Sequence, residues 1–256
     1  MKKLYISFIL IFFLSVSLSG QEIVLNERAS LEQVYLDTYE SENLLPMNDL
    51  NMEFGYVLYQ TEIEMEGDEA ELVLENIRDY AAVYLDGKLQ GSVTENRKKL
   101  TLNAAEGKHT LQLYAENIGR ITYGPEILDN SKGLFGSITL DGVEIENWAM
   151  IPLNVKDCDI AALTFDDGVT SELPSFHKGT FDINTPKDVY LDISGWGMGE
   201  VWINGKYMGS YWEEEKQQSI QIPASDLKEG KNEIVVFELK NNKLKAMKLS
   251  DNPIFK

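Results

Sequence analysis

The chain is poor in the residues that most often carry chemistry. It has one cysteine, Cys158, and two histidines, His109 and His177, among 256 residues. A lone cysteine cannot form an internal disulfide, and two isolated histidines without a cysteine pair do not make a zinc site. Burial is the expectation for Cys158, since a free cysteine behaves as a small hydrophobe. Positive charge is also scarce. There are 23 Lys and Arg against 42 Asp and Glu, a formal net charge of -19. Such a surface repels phosphate backbones, so nucleic acid is excluded as a partner. No Gly-rich phosphate loop is present either. Gly195-Trp196-Gly197-Met198-Gly199 reads as a turn, because no helical pattern follows it. No metal and no cofactor are expected.

Only the N-terminus is long and apolar. Lys2 and Lys3 precede a run from Leu4 to Leu18 that is broken only by Ser7, Ser15 and Ser17, and Ser-Leu-Ser-Gly follows. The run is too short for a comfortable membrane span and has the layout of a secretory signal peptide, residues 1–20. An exported protein, periplasmic or extracellular, is therefore expected, with no membrane association after cleavage. Removing residues 1–20 takes away two lysines and no acids, so the mature charge is -21. With 43% hydrophobic residues, a core can form without crosslinks.

What the chain has instead is an internal repeat. Val83 to Gly91 reads VYLDGKLQG, and Val201 to Gly209 reads VWINGKYMG, 118 positions later. Each is followed by a second matched piece: EGKHTLQLYAEN from Glu106 and EGKNEIVVFELKN from Glu229, 123 positions apart. Two blocks in one order at nearly one offset indicate a duplicated domain.

The pattern within the copies is β. Short runs rich in aromatic and β-branched residues occur at Phe54–Glu64, Glu71–Asn76, Ala81–Asp86, Leu111–Glu116 and Ser137–Leu140. They recur at Gly179–Ile183, Val189–Ile193, Glu200–Ile203, Ser219–Ile222 and Asn232–Leu239. Gly, Asn or Asp bounds most of them, a density of turns that predicts a sandwich or barrel. Asp86-Gly87, Asn204-Gly205 and Asp141-Gly142 are hairpin signals, because a two-residue type I′ turn needs positive φ at both centres. Helix is limited to Leu31–Tyr39, where Ser30 and Gln33 could form a capping box, and to one or two turns over Ala224–Glu229. Residues 21–154 and 155–256 are expected to form two sandwiches that pack on each other, since the connector is short and not rich in Pro or Ser.

Longer motifs carry a resemblance. They are FGYVLYQT at Phe54–Thr61, RDYAAVYLDGK at Arg78–Lys88, ENIGRITYG at Glu116–Gly124 and KGLFGSITLDG at Lys132–Gly142. SFHKGTF at Ser175–Phe181, LDISGWGMGEVWINGKYMGSYW at Leu191–Trp212 and KEGKNEIVVFEL at Lys228–Leu239 complete the set. Together they resemble the C-terminal part of glycoside hydrolase family 35 β-galactosidases. The resemblance implies an all-β chain of two tandem jelly-roll sandwiches, related to galactose-binding modules that follow a catalytic (β/α)₈ barrel. The barrel and its two glutamates have no counterpart here, so no catalytic residue is carried over. The chain departs from the family near Tyr211-Trp212, with Ser210 where an arginine is usual and Glu215-Lys216 where Gly-Pro is usual.

Other constellations are weak. Asp166-Asp167 and Glu213-Glu214-Glu215 are neighbours that point to opposite faces of a strand, whereas a retaining glycosidase needs two carboxylates about 5–5.5 Å apart. LTFDDG at Leu163–Gly168 resembles the first motif of polysaccharide deacetylases, but the paired histidines of that chemistry are missing. Sugar binding needs an aromatic face for C–H groups and planar polar partners for hydroxyls. Trp196, Trp202, Tyr211 and Trp212 with Asn204, Gln217 and Gln218 are the candidates in the second copy. Tyr80, Tyr84, Arg120 and Tyr123 are their counterparts in the first. Trp196, in its Gly-rich turn, is the one most expected to be exposed. Three functions are open: an accessory protein that binds galactose-containing glycans or assists a glycosidase, half of a split β-galactosidase needing a separate barrel, or a protein-interaction module. An exposed apolar patch would favour the second.

Overall fold

The computed structural model describes residues 20–119, 124–167 and 171–256. Residues 1–19, most of the expected signal segment, lie outside that set, as do Arg120, Tyr123 and Gly168. The first described strands are β1 (Gln21–Ser30), β2 (Tyr39–Ser41), β3 (Gly55–Met65), β4 (Glu69–Arg78), β5 (Tyr80–Leu85) and β6 (Lys88–Thr94). They are followed by β7 (Lys99–Asn103), β8 (Gly107–Asn117), β9 (Gly133–Leu140), β10 (Val143–Glu144), β11 (Trp148–Leu153) and β12 (Asp166–Asp167). The rest are β13 (Ser175–Ile183), β14 (Val189–Asp192), β15 (Met198–Ile203), β16 (Lys206–Trp212), β17 (Ser219–Ile222), β18 (Gly230–Glu238) and β19 (Ala246–Ser250). Every strand expected from the pattern is present, six of the ten longer by one to five residues.

Helix among the described residues is confined to short 3₁₀ turns. Leu31–Val34 is one of them, and Ser30 caps it by accepting from the Glu32 N–H. The expected capping box does not form, because the Gln33 side chain pairs with the backbone of Thr164 instead. Ala224–Asp226 is a second short turn.

The first sandwich packs a six-stranded sheet, β2-β11-β3-β8-β5-β6, on a four-stranded sheet, β10-β9-β4-β7. Its core holds Val57, Tyr59, Leu72, Val83, Leu113 and Trp148. The second sandwich repeats the layout: β16-β15-β18-β13 matches β6-β5-β8-β3, and β19-β14-β17 matches β9-β4-β7. Its core holds Ile23, Phe181, Leu191, Trp196, Val201 and Val236. Both repeat hairpins turn at the expected dipeptide, with positive φ at Asp86 (48°) and Gly87 (74°) and at Asn204 (51°) and Gly205 (80°). Each also carries a bulge at the matched step, Val83/Tyr84 and Val201/Trp202.

One strand is not where the sequence boundary puts it. β1 falls within residues 21–154, yet it pairs with β13 through Leu25–Ser30 and with β19 through Gln21–Val24. There it fills the place that β11 fills beside β3 in the first sandwich. A shift in register between Leu25 and Glu27 bends it across both sheets, so the two layers join into one nine-stranded path. The physical reason is its alternation: Ile23 and Leu25 point into the second core, and Ala29 into the contact between sandwiches. The second sandwich is therefore built from both ends of the described chain.

The sandwiches meet sheet to sheet. β5 and β15 are buried at every position, on both faces. Ala81, Val83 and Leu85 fill the first core, while Tyr80, Ala82 and Tyr84 face the other sandwich. Val201 and Ile203 fill the second core, while Met198 and Trp202 face back. Phe176, Val235, Phe237 and Leu239 complete this shared layer. Cys158 packs against it, half-buried, and burial pushes its thiol up to about 11.

A candidate sugar-binding cleft between the sandwiches

Where the shared layer reaches the surface, a cleft of about 520 Å³ opens. One wall is the end of β8, with Glu116 and Ile118. The other is β16 and the loop after it, with Ser210, Tyr211, Trp212, Glu215 and Gln217. Met198, Ile193 and Ile220 form apolar floor.

The β16 wall is held from behind. Gly199 lies opposite Tyr211, and a Cβ there would come within 2.7 Å of the tyrosine oxygen and 1.8 Å of the Phe237 carbonyl. With only hydrogen at that position, Tyr211 crosses β15 and donates its hydroxyl to Glu238 at 2.8 Å. Glu238 is fully buried and also accepts the N–H groups of Gly197, Lys240 and Asn241. Burial raises its pKa, and those four donors oppose the rise. Past Trp212, the Glu213 carboxylate pairs with Lys240, and the Gln218 amide donates to the Glu215 carbonyl at 2.6 Å. The C-terminal tail straps the same loop through the Gln218 N–H to the Ile254 carbonyl.

Trp212 is half-buried in this wall. Its ring meets Tyr80 edge-on at 6.3 Å, and its indole N–H has no partner. Across the cleft, Glu116 is 2% exposed and its Oε2 has no partner either. Burial pushes the Glu116 carboxyl up to about 8; Lys156 opposes that rise, and Glu200 adds to it. A partnerless buried donor and a partnerless buried acceptor flanking one opening are unusual, since buried polar groups are paired in most folds.

Of the seven predicted ligand residues in the second copy, the structure brings Tyr211, Trp212 and Gln217 together on this cleft. Gln217 is exposed and donates to the Ser219 carbonyl. Its neighbour Gln218 is buried and braces the loop. The other three lie elsewhere. Trp196, expected at the surface, is 2% exposed in the second core. Its indole donates to the Ala246 carbonyl, and its ring meets His177 edge-on. Trp202 is 3% exposed and packs on Phe176 and Tyr207 in the shared layer. Asn204 is used up in its turn, donating to the Asp226 carbonyl and Asn232 and accepting from the Glu233 N–H. In the first copy, Tyr80 and Tyr84 are buried in the shared layer, and Arg120 and Tyr123 lie outside the described residues.

Sequence reasoning missed three buried acids. Besides Glu116 and Glu238, Glu200 is fully buried between the sandwiches. It accepts from the hydroxyls of Tyr56 (2.7 Å) and Tyr207 (2.6 Å) and pairs with Lys156 at 3.2 Å. The available signal was an acid inside an otherwise apolar run: Glu200 before VWI, Glu116 after LYA and Glu238 after VVF. Asp166 and Asp167 are exposed on a strand paired with β1, and Glu213 pairs with Lys240, as solvated or structural charges do.

Comparison with known proteins gives a consistent result. Residues 45–154 match a family model described as the first all-β domain of β-galactosidase. Residues 174–232 match one described as the galactose-binding domain of β-galactosidase. A β-galactosidase of Xanthomonas manihotis is 34% identical over 182 residues, covering 70% of this chain and 30% of that protein. A β-galactosidase-1-like protein 2 of Homo sapiens is 32% identical over 200 residues, covering 76% of this chain and 31% of that protein. The chain thus spans about a third of the curated relatives it matches. Among solved structures, a lectin from Pleurotus ostreatus in complex with GalNAc aligns over 90% of this chain and 77% of its own at 12% identity. Its TM-score is 0.30, too low to bear on this chain. With both domain models matched in order across the two sandwiches, the chain belongs to the β-domain region of the β-galactosidase family.

Proposed function

We propose that this chain is an exported carbohydrate-binding protein that takes galactose-containing glycans in the cleft between its sandwiches. One observation carries the reading: Trp212, half-buried with an unpartnered indole N–H, stands across one cleft from the unpartnered Oε2 of Glu116. An indole face suits the C–H surface of a pyranose, and partnerless polar atoms suit its hydroxyls. The wall is braced before any ligand arrives, which lowers the ordering cost of binding. The matched galactose-binding model and the β-galactosidase relatives support galactosides as the class. The test is calorimetric titration with galactose, lactose and a galactan oligosaccharide, using Trp212→Ala and, as a core control, Trp196→Phe. Binding at about millimolar affinity or tighter, lost in W212A and kept in W196F, is expected. Absence of heat with all three sugars overturns the reading.

A second reading has its own observation. Phe54 (53% exposed) and Ile118 (62% exposed) lie at the adjoining ends of β3 and β8. Exposed apolar side chains so close together fit a protein contact, such as a separately encoded catalytic barrel. Co-purification of such a barrel, lost in Phe54→Asp with Ile118→Asp, would favour a split enzyme.

A further inference from the structure

The charge of the cleft says which sugars it takes. Among the described residues, its ionisable wall residues, apart from Tyr211, are Glu116 and Glu215, and no Lys, Arg or His lines it. The lysines that act on Glu116, and Lys240 behind the β16 wall, are already committed. Lys156 pairs with Glu200, Lys132 with Asp79 at 2.9 Å, and Lys240 with Glu213. Lys216 is solvent-exposed and off the wall, although it follows Glu215 in the chain. Resting on the cleft being the glycan site, we infer that it selects uncharged sugars over their uronate counterparts, with Glu116 and Glu215 as the residues that enforce the choice.

The physics is direct. A galacturonate differs from galactose by a carboxylate in place of a hydroxymethyl group. In this cleft that carboxylate would lose water, find no cation on the described walls and face two acids in a protein of net charge -19. An uncharged hydroxyl meets no such barrier. It can accept a hydrogen bond from Glu116 in its acid form or donate one to the ionised form. The groups that face Glu116 are Tyr56 on β3, Tyr80 and Asp79 beside β5, Lys132 before β9, Lys156 in the connector and Glu200 on β15. Burial holds the proton on Glu116 up to about pH 8. Discrimination against a uronate therefore widens as pH rises past that value.

The test compares two ligands on the unaltered chain and on two variants. Methyl β-galactoside and methyl β-galacturonide are titrated at pH 6 and pH 9. The uronide should bind at least about tenfold more weakly at pH 6, and the gap should grow at pH 9. In E116Q, with folding checked by its thermal transition, the gap should persist without growing. In E215Q, an exposed and fold-neutral change, it should shrink at both pH values. Equal affinity for the two ligands, or a gap unmoved by both variants, overturns the inference and leaves the cleft as a glycan site. Failure of the uncharged ligand to bind removes the cleft reading and the inference together.

Discussion

The two sandwiches use one hairpin and one sheet order, yet they close in different ways. The first is completed by its own last strand, β11, against β3. The second receives the equivalent strand, β1, from the other end of the described chain. Matched positions also exchange chemistry across the shared layer. Ala82 in the first copy corresponds to Glu200 in the second, and Leu239 in the second corresponds to Glu116 in the first. Each copy thus contributes one acid where the other has an apolar side chain. Duplication supplied two apolar faces that fit each other, and divergence placed the polar groups where the faces meet.

The largest effect should come from removing the borrowed strand. Deleting residues 21–30 takes Ile23 and Leu25 out of the second core and leaves the facing edges of β13 and β19 unpaired. We expect the second sandwich to unfold and the first to remain. Hydrogen exchange reads this directly: protection over Val235–Phe237 should vanish while that over Leu111–Ala115 persists. Retained protection at Val235 would show that the strand decorates the second sandwich without completing it.

Next is the acid held between the copies. Glu200→Ala leaves the Tyr56 and Tyr207 hydroxyls and the Lys156 ammonium without their common partner. Breaking a buried pair of this kind costs about 3–5 kcal/mol. Tyr56→Phe should cost less, about 1–3 kcal/mol, and the two changes together should cost less than their sum, because they remove the same contact. Additive costs from urea unfolding would mean that the two groups act separately.

The strand pattern, the duplication and the two turns were all legible in the sequence, because each rests on local signals: period-two alternation, and Asp-Gly or Asn-Gly at the hairpins. The strand exchange was not. β1 alternates well enough to be a strand, but nothing local says which sheet it joins. Half of the candidate site was legible for a similar reason. A Trp in a strand must face one of two sides, and in this fold both sides are buried, so Trp202 had no exposed face to take. Trp196 looked exposed because Gly-rich turns usually are, but its turn folds inward and is pinned by Glu238. Glu116 was missed because an acid at a strand end reads as an edge charge until a second sheet covers it.

Glu116 should also leave a mark on stability. Its folded pKa of about 8 lies above the ordinary glutamate value of 4.5, so the folded state holds the proton more tightly. The contribution is therefore fully present below about pH 4.5 and is lost as pH rises through about 8. Urea midpoints of the native chain should fall across that window more than those of E116Q. Parallel curves would place the titrating group elsewhere.

The smallest effect separates the two turns themselves. In the second copy, Asn204 bonds the Glu233 N–H, Asn232 and the Asp226 carbonyl, all without charge. In the first, Asp86 accepts from the Thr110 N–H at 2.8 Å and meets His109 Nδ1 at 2.6 Å, while His109 Nε2 meets the Ala105 carbonyl at 2.7 Å. Both ring nitrogens thus face acceptors, which favours the imidazolium: Asp86 raises the His109 pKa, and His109 lowers that of Asp86. A raised histidine adds stability that is complete below its unfolded pKa of 6.5 and is lost as pH climbs through the folded value. The depressed Asp86 has the opposite limit, its contribution fading only as pH falls below the ordinary aspartate range. Asn204→Ala should cost about 1–3 kcal/mol and Asp86→Ala about 1 kcal/mol near neutral pH. Between pH 6 and pH 9 the cost of N204A should stay level while that of D86A shrinks, since the imidazolium that Asp86 holds is by then deprotonated. If both costs move together with pH, the turns are equivalent in charge as well as in shape, and the divergence of the copies is confined to the layer between them.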